Sequence, residues 1–177
     1  IPYMDVDIED EDSLSSRLET GKGKAPAAVD LAVIRFPRIS NFTDFNVFSG
    51  IPGVSLRYVT RACDLGTPDM VILPGTKNTI HDLLWMRQNG LEAAILKLAD
   101  RQVPVWGICG GYQMMGEVLV DEKGVESDLP SRTSGMGLLP LKTEFEKEKI
   151  RTQVEGAFGQ LDGCLGGLSG NSIEGYE

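Results

Sequence analysis

The stretch Val103-Pro-Val-Trp-Gly-Ile-Cys109-Gly-Gly-Tyr-Gln-Met-Met-Gly116 decides how the rest of the chain is read. It predicts a short apolar strand, a cysteine at the turn, and a helix opened by two glycines. So sharp a strand-to-helix turn holds a nucleophile clear of the backbone, with free amide N–H groups beside it. A helix N-terminus also favours negative charge on the sulfur, because its unpaired N–H groups and its dipole point there. Cys109 is therefore the candidate reactive atom. The plain alternative is a buried core thiol behind a strand. Three neighbours favour chemistry. Gly110 and Gly111 let a substrate approach the backbone closely. Gln113 lies one helical turn from Cys109 on the same face. A second glycine turn, Pro74-Gly75-Thr76, is predicted at the same sheet edge and would supply a second oxyanion N–H.

Outward from that stretch the chain alternates strands and helices. Leu31–Phe36 is a continuous apolar run, as expected of a strand buried on both faces of a parallel sheet. Val54–Val59 and Asp69–Leu73 read as two more strands, and Val103–Ile108 as the fourth. Ser40–Asp44 has the N-cap chemistry of a short helix. Ile80, Leu83, Leu84, Leu91, Ile95 and Leu98 recur at helical spacing, with Gly90 dividing them into two helices. The expected fold is α/β, a mostly parallel sheet flanked by helices, with its site at the carboxyl ends of the strands. Trp85 and Trp106 are expected in the core. Beyond Asp121 the pattern weakens: Gly135–Leu141 and Ile150–Val154 read as strands, Gly156–Gly170 as loop, and Ile173 onward as extended.

Composition sets outer limits. A chain of 177 residues with 41% hydrophobic content supports one soluble α/β domain. A net charge of −9 argues against nucleic acid or an anionic membrane as partner. No apolar run approaches the roughly 18 residues a membrane helix needs. Three widely spaced cysteines suggest free thiols in a reducing cytoplasm, with no zinc-ligand spacing and no metal site expected. Cys63 and Cys164 match no motif. Asp5–Asp12 is a block of carboxylates followed by Ser- and Gly-Lys-rich sequence, so residues 1–28 read as a solvated linker and 29–177 as the domain. The chain opens at Ile1 and closes in a strand-like run at Glu177, so part of a longer protein is expected.

Gly107-Ile-Cys109-Gly-Gly-Tyr-Gln113 resembles the nucleophile elbow of class I (triad-type) glutamine amidotransferases, whose architecture is flavodoxin-like. Further stretches narrow the resemblance to the cobyric acid synthase family of cobalamin biosynthesis. They are Pro37-Arg-Ile-Ser-Asn-Phe-Thr-Asp44, Leu73-Pro-Gly-Thr-Lys-Asn-Thr-Ile80, Asp82-Leu-Leu-Trp85, Gly135-Met-Gly-Leu-Leu-Pro140 and the closing Gly175-Tyr-Glu177. The resemblance implies that Cys109 attacks the side-chain amide of glutamine, giving a thioester and ammonia. Gly75 and Gly110 would donate to the oxyanion, and Gln113 would help to seat the glutamine. Tyr112, beside the nucleophile, reads equally as a wall of the glutamine pocket or as simple packing, and Arg151 is a candidate contact for the glutamine carboxylate. It further implies an N-terminal synthetase domain outside this chain, where ATP and Mg²⁺ drive amidation of the carboxylates of cobyrinic acid a,c-diamide, a corrinoid. No cofactor is implied for these 177 residues themselves.

One departure stands out. A cysteine nucleophile needs a base, normally histidine. The family's histidine would fall just past Glu177, and the single histidine here, His81, does not match that motif. His81 reads as a solvated residue at a helix start, and the 177 residues alone are expected to have little glutaminase activity. The alternatives left open are a related amidotransferase, a cysteine-dependent hydrolase on the same elbow, and a flavodoxin-like binding module.

Overall fold

The apolar runs between Val29 and Ile108 become four parallel strands in a computed structural model of the chain. It describes residues 27–127, 129–148 and 152–176, with backbone alone at 164 and 176. The acidic linker, but for its last two residues, lies outside that part, as does Arg151. The strands are β1 (Val29–Ile34), β2 (Val54–Val59), β3 (Met70–Leu73) and β4 (Val105–Gly107), in the order β2-β1-β3-β4. Register runs Leu31↔Leu56 and Leu31↔Met70, then Leu73↔Gly107. Chain order reverses between β1 and β3, the kind of switch point where such sheets open a crevice at the carboxyl ends of their strands.

Alternation along the buried strands builds two cores. Ala32, Ile34, Val71 and Leu73 face the helices α3 (Thr79–Gln88) and α4 (Leu91–Asp100), packing on Ile80, Leu83, Met86, Leu91, Ile95 and Leu98. Val33 and Ile72 face the other way, onto Phe45 and the partly buried Phe48, Leu56 and Tyr58. Gly90, at φ 73°, supplies the left-handed residue that separates α3 from α4, as its position predicts. Arg87 and Glu92 then pair across the break, at 2.5 and 2.7 Å, and the bonds to Glu92 raise the guanidinium's already high pKa. Tyr58 donates to the Phe42 carbonyl at 2.9 Å, and burial pushes its hydroxyl up to about 12. The short helices α1 (Asn46–Ser49) and α2 (Ala62–Leu65) complete this part; Asn41 precedes the 3-10 turn Phe42–Phe45 at φ 53°, without the side-chain cap its residue type suggests.

After α5 (Gly110–Met114) comes a second sheet, β6-β5-β7, made from β5 (Val118–Asp121), β6 (Ser131–Ser134) and β7 (Lys142–Glu144). Here the sequence reading of Gly135–Leu141 as a strand is corrected. The Met136, Gly137 and Leu138 amides donate to the carbonyls of Met114, Gly116 and Met115, at 2.9 Å each. A helix end leaves its last carbonyls without partners, and this segment serves as their cap instead of joining a ladder.

Residues 146–177 form a separate unit. It is a hairpin of β8 (Gln153–Ala157) and β9 (Ser172–Tyr176), in register Glu155↔Glu174, with a 3-10 turn at Gly163–Leu168. Ser169 ties the connection by donating to the Leu161 carbonyl and accepting from its amide. The extended reading from Ile173 holds. The glycine-rich loop is shorter than expected, because β8 reaches Ala157 and Gly163–Leu168 is helical.

Candidate active site

The turn at Cys109 is made by fixing both of its sides. The Ile108 amide donates to the Leu73 carbonyl at 2.9 Å, holding the end of β4 to β3. Immediately afterwards Gly111 donates to Ile108 and Gln113 to the Cys109 carbonyl, at 2.9 and 3.0 Å, starting α5. Cys109 itself is left at φ 50°, ψ −114°, a conformation L-residues avoid. Such a backbone costs on the order of 1–3 kcal/mol and persists only where its surroundings impose it. The thiol ends up exposed. α5 is five residues long, so the charge it offers comes from the first free N–H groups more than from a long dipole.

The glycines around the elbow are required by space. A Cβ at Gly111 would run into the Leu73 carbonyl, and one at Gly107 would sit 2.6 Å from Tyr112 Cα. At Gly110 it would lie 2.7 Å from Thr76 Cγ2. On the side where a Cβ would stand, the space beside Gly110 and Gly111 is filled by the protein's own β3 and the turn that follows it.

That turn is the second half of the site. A Cβ built on Gly75 would lie 3.9 Å from the Cys109 Cβ and 2.9 Å from Ser40 Oγ, so the Pro74-Gly75-Thr76 turn and the elbow face one crevice. Among the described residues no acceptor takes the N–H of Gly75 or of Gly110. Gln113 is half-buried, and its Oε1 accepts the Thr79 hydroxyl at 3.3 Å. Tyr112 is 47% exposed, which fits a crevice wall better than core packing. The structure thus brings Cys109, Gly75, Gly110, Tyr112 and Gln113 to one edge.

Sequence reasoning missed the brace behind this edge. Asp121, fully buried at the end of β5, accepts the amides of Val125, Glu126 and Ser127 at 2.6, 2.9 and 2.9 Å and the Ser127 hydroxyl at 3.2 Å. Burial pushes its carboxyl up, but the bonds from Val125, Ser127 and Glu126 outweigh it and the net pKa is lowered. The loop so held presents Glu126 to the start of α3, where its carboxylate accepts the Thr79 amide and its carbonyl accepts Asn78 Nδ2 at 2.5 Å. A carboxylate there satisfies an orphan donor and the helix dipole together. An aspartate ending a strand and a glutamate in a loop give no signal for this in the sequence.

Other expectations separate. His81 is exposed at the start of α3, its Nδ1 2.9 Å from Asn78 Oδ1, and among the described residues no hydrogen bond joins it to Cys109. Trp85 packs edge-on against Phe36, with centroids 6.5 Å apart. Trp106 does not join the core: it is 55% exposed, on the strand β4 that ends the sheet. Cys63 is exposed on α2. Among the described residues no group of three or more His, Cys, Asp or Glu is placed to hold a metal, and no helix is long and apolar enough to cross a membrane.

The family described as the CobB/CobQ-like glutamine amidotransferase domain matches residues 30–177. Cobyric acid synthase from Ruminiclostridium cellulolyticum is 54% identical over 178 residues, covering all of this chain and 34% of that protein. The one from Lachnoclostridium phytofermentans is 51% identical, again over all of this chain and 34% of its own length. The chain therefore spans about a third of the length of the curated relatives it matches. A solved structure, a putative peptidase E from Listeria monocytogenes EGD-e, covers 70% of this chain and 69% of its own at 13% identity and a TM-score of 0.49, and bears on neither family nor function. The chain belongs to the CobB/CobQ-like glutamine amidotransferase domain family.

Proposed function

We propose that this chain is the glutamine-hydrolysing part of a cobyric acid synthase, with Cys109 as the nucleophile. The observation that carries the reading is the exposed Cys109 at φ 50°, facing two glycine turns whose N–H groups are taken by no acceptor among the described residues. The sulfur adds to the amide carbon of glutamine, and the oxyanion so formed takes hydrogen bonds from Gly75 and Gly110. A single donor of this kind is worth about 3–4 kcal/mol in other enzymes. The C–N bond then breaks, the proton given up by the thiol passes to the departing nitrogen so that it leaves as ammonia, and water cleaves the γ-glutamyl thioester to glutamate and the free thiol. Gln113, Tyr112 and Arg151 seat the substrate. His81, tied to Asn78, is not the base, and a histidine outside the 177 residues takes that part.

In the whole protein the ammonia passes to an N-terminal synthetase domain. There ATP, with Mg²⁺, activates carboxylates of cobyrinic acid a,c-diamide, and amidation gives cobyric acid in the cytoplasm. The test is to label the full-length protein with an electrophile that mimics glutamine. Modification of Cys109 that glutamine prevents is the expected result. Modification indifferent to glutamine would replace this reading with a cysteine-dependent hydrolase of other specificity, and no modification would leave a binding module.

A further inference from the structure

Asp82 has no part in the chemistry above, yet it is the carboxyl group most tightly enclosed by the site's own turn. It lies on the first turn of α3 with a relative exposure of 0%. Its Oδ2 accepts the Thr76 hydroxyl at 2.5 Å and the Arg38 amide at 3.2 Å. Among the described residues its Oδ1 has no hydrogen-bond partner, and the Arg38 guanidinium stands 3.5 Å away. Burying a carboxyl with an oxygen left unbonded is costly, and α3 would pack as well on an apolar residue there. What the carboxyl does accomplish is to join the two segments that flank Gly75.

Those segments are tied by a short ladder. The Thr76 hydroxyl also lies 3.1 Å from the Arg38 carbonyl, the Lys77 amide donates to that carbonyl at 2.9 Å, and Ser40 donates to the Gly75 carbonyl at 2.9 Å. Upstream, the Leu73 carbonyl is held by Ile108. Gly75 is thus clamped before and after, and Asp82 closes the downstream clamp from beneath. We infer that Asp82, acting through Thr76, is a positioning residue that aims the Gly75 N–H at the developing oxyanion. The inference rests on the glutaminase reading of Cys109. An oxyanion donor acts only when held at hydrogen-bond distance from where the negative oxygen will be, so a slack turn slows the chemical step and leaves substrate binding alone.

The test uses the full-length protein with Asp82→Asn, Thr76→Val and Thr76→Ser. Asn at position 82 can still accept from Thr76 but presents an N–H toward Arg38, while Val at 76 removes the hydroxyl and keeps its shape. Both are expected to lower kcat for glutamine hydrolysis by about 10- to 100-fold with KM changed less than about twofold, and Thr76→Ser to recover most of the Thr76→Val loss. Alkylation of Cys109 by iodoacetamide, which forms no oxyanion, is expected to keep its wild-type rate. The inference is overturned if folded Asp82→Asn or Thr76→Val keeps kcat within about twofold, if Ser fails to rescue the Thr76→Val loss, or if alkylation slows in step with kcat. Should Asp82→Asn not fold, the Thr76 pair decides alone. If the wild-type protein hydrolyses no glutamine, the glutaminase reading fails and this inference falls with it, a result distinct from the variant outcomes.

Discussion

Glycine has opposite meanings in two parts of this molecule. Around Cys109, a Cβ at Gly107, Gly110 or Gly111 would collide with Tyr112, Thr76 or Leu73. In the hairpin unit, a Cβ at Gly159, Gly167 or Gly175 would meet nothing within 4 Å. At the elbow glycine is the residue small enough to let three backbones touch. In the hairpin it fills no such need, and its cost there is conformational entropy. Density of glycine in a sequence therefore says little about a site, whereas the atoms a methyl group would strike say a great deal.

The sharpest way to break this contrast is Cys109→Gly. Glutamine hydrolysis by the full-length protein is expected to fall by at least about 10³-fold, as when other nucleophiles are removed. Thermal stability is expected to rise, by about 1 kcal/mol, because glycine adopts φ 50° without strain. Stability unchanged or lowered would mean that the turn stores no strain.

Next comes a matched pair. Gly111→Ala is expected to cost about 3 kcal/mol or more, since the obstacle is backbone and cannot swing aside. Gly167→Ala should stay within about 0.5 kcal/mol of wild type. Urea denaturation of both measures the difference, and equal effects would remove the distinction.

Asp121→Asn probes the brace, and a loss of about 2 kcal/mol is expected, because an amide cannot accept four hydrogen bonds as a carboxylate does. Its lowered pKa fixes the pH behaviour. The stabilisation is complete above the unfolded value of about 3.9 and is lost as pH falls through the lower, folded one. Wild-type stability should therefore drop more steeply than that of the Asn variant below about pH 4. The smallest effect belongs to His81→Ala: stability within about 0.5 kcal/mol and no change in glutamine hydrolysis by the full-length protein.

The sheet was legible in the sequence because β1 and β3 are buried on both faces, and a short unbroken apolar run bounded by turn residues suits such a strand. The break at Gly90 was legible because a left-handed residue between two periodic segments demands it. Trp106 misled because a large apolar residue carries no mark of which strand ends the sheet. Gly135–Leu141 misled because its apolar pattern matches a strand, while its amides are taken by the carbonyls at the end of α5. Asp121 was illegible as a brace because three of its four bonds come from backbone amides, which every sequence has; Asp82 was illegible because Arg38 lies 44 residues away in sequence and is brought to it only by the fold.

The cap on α5 has a consequence for biosynthesis. The carbonyls of Met114, Met115 and Gly116 obtain their donors from residues 136–139, so the helix behind Cys109 is finished only after that later segment has left the ribosome. At elongation rates of about 5–20 residues per second, the interval is about one to five seconds. During that time the thiol sits on an incomplete support, open to oxidants and to wrong partners.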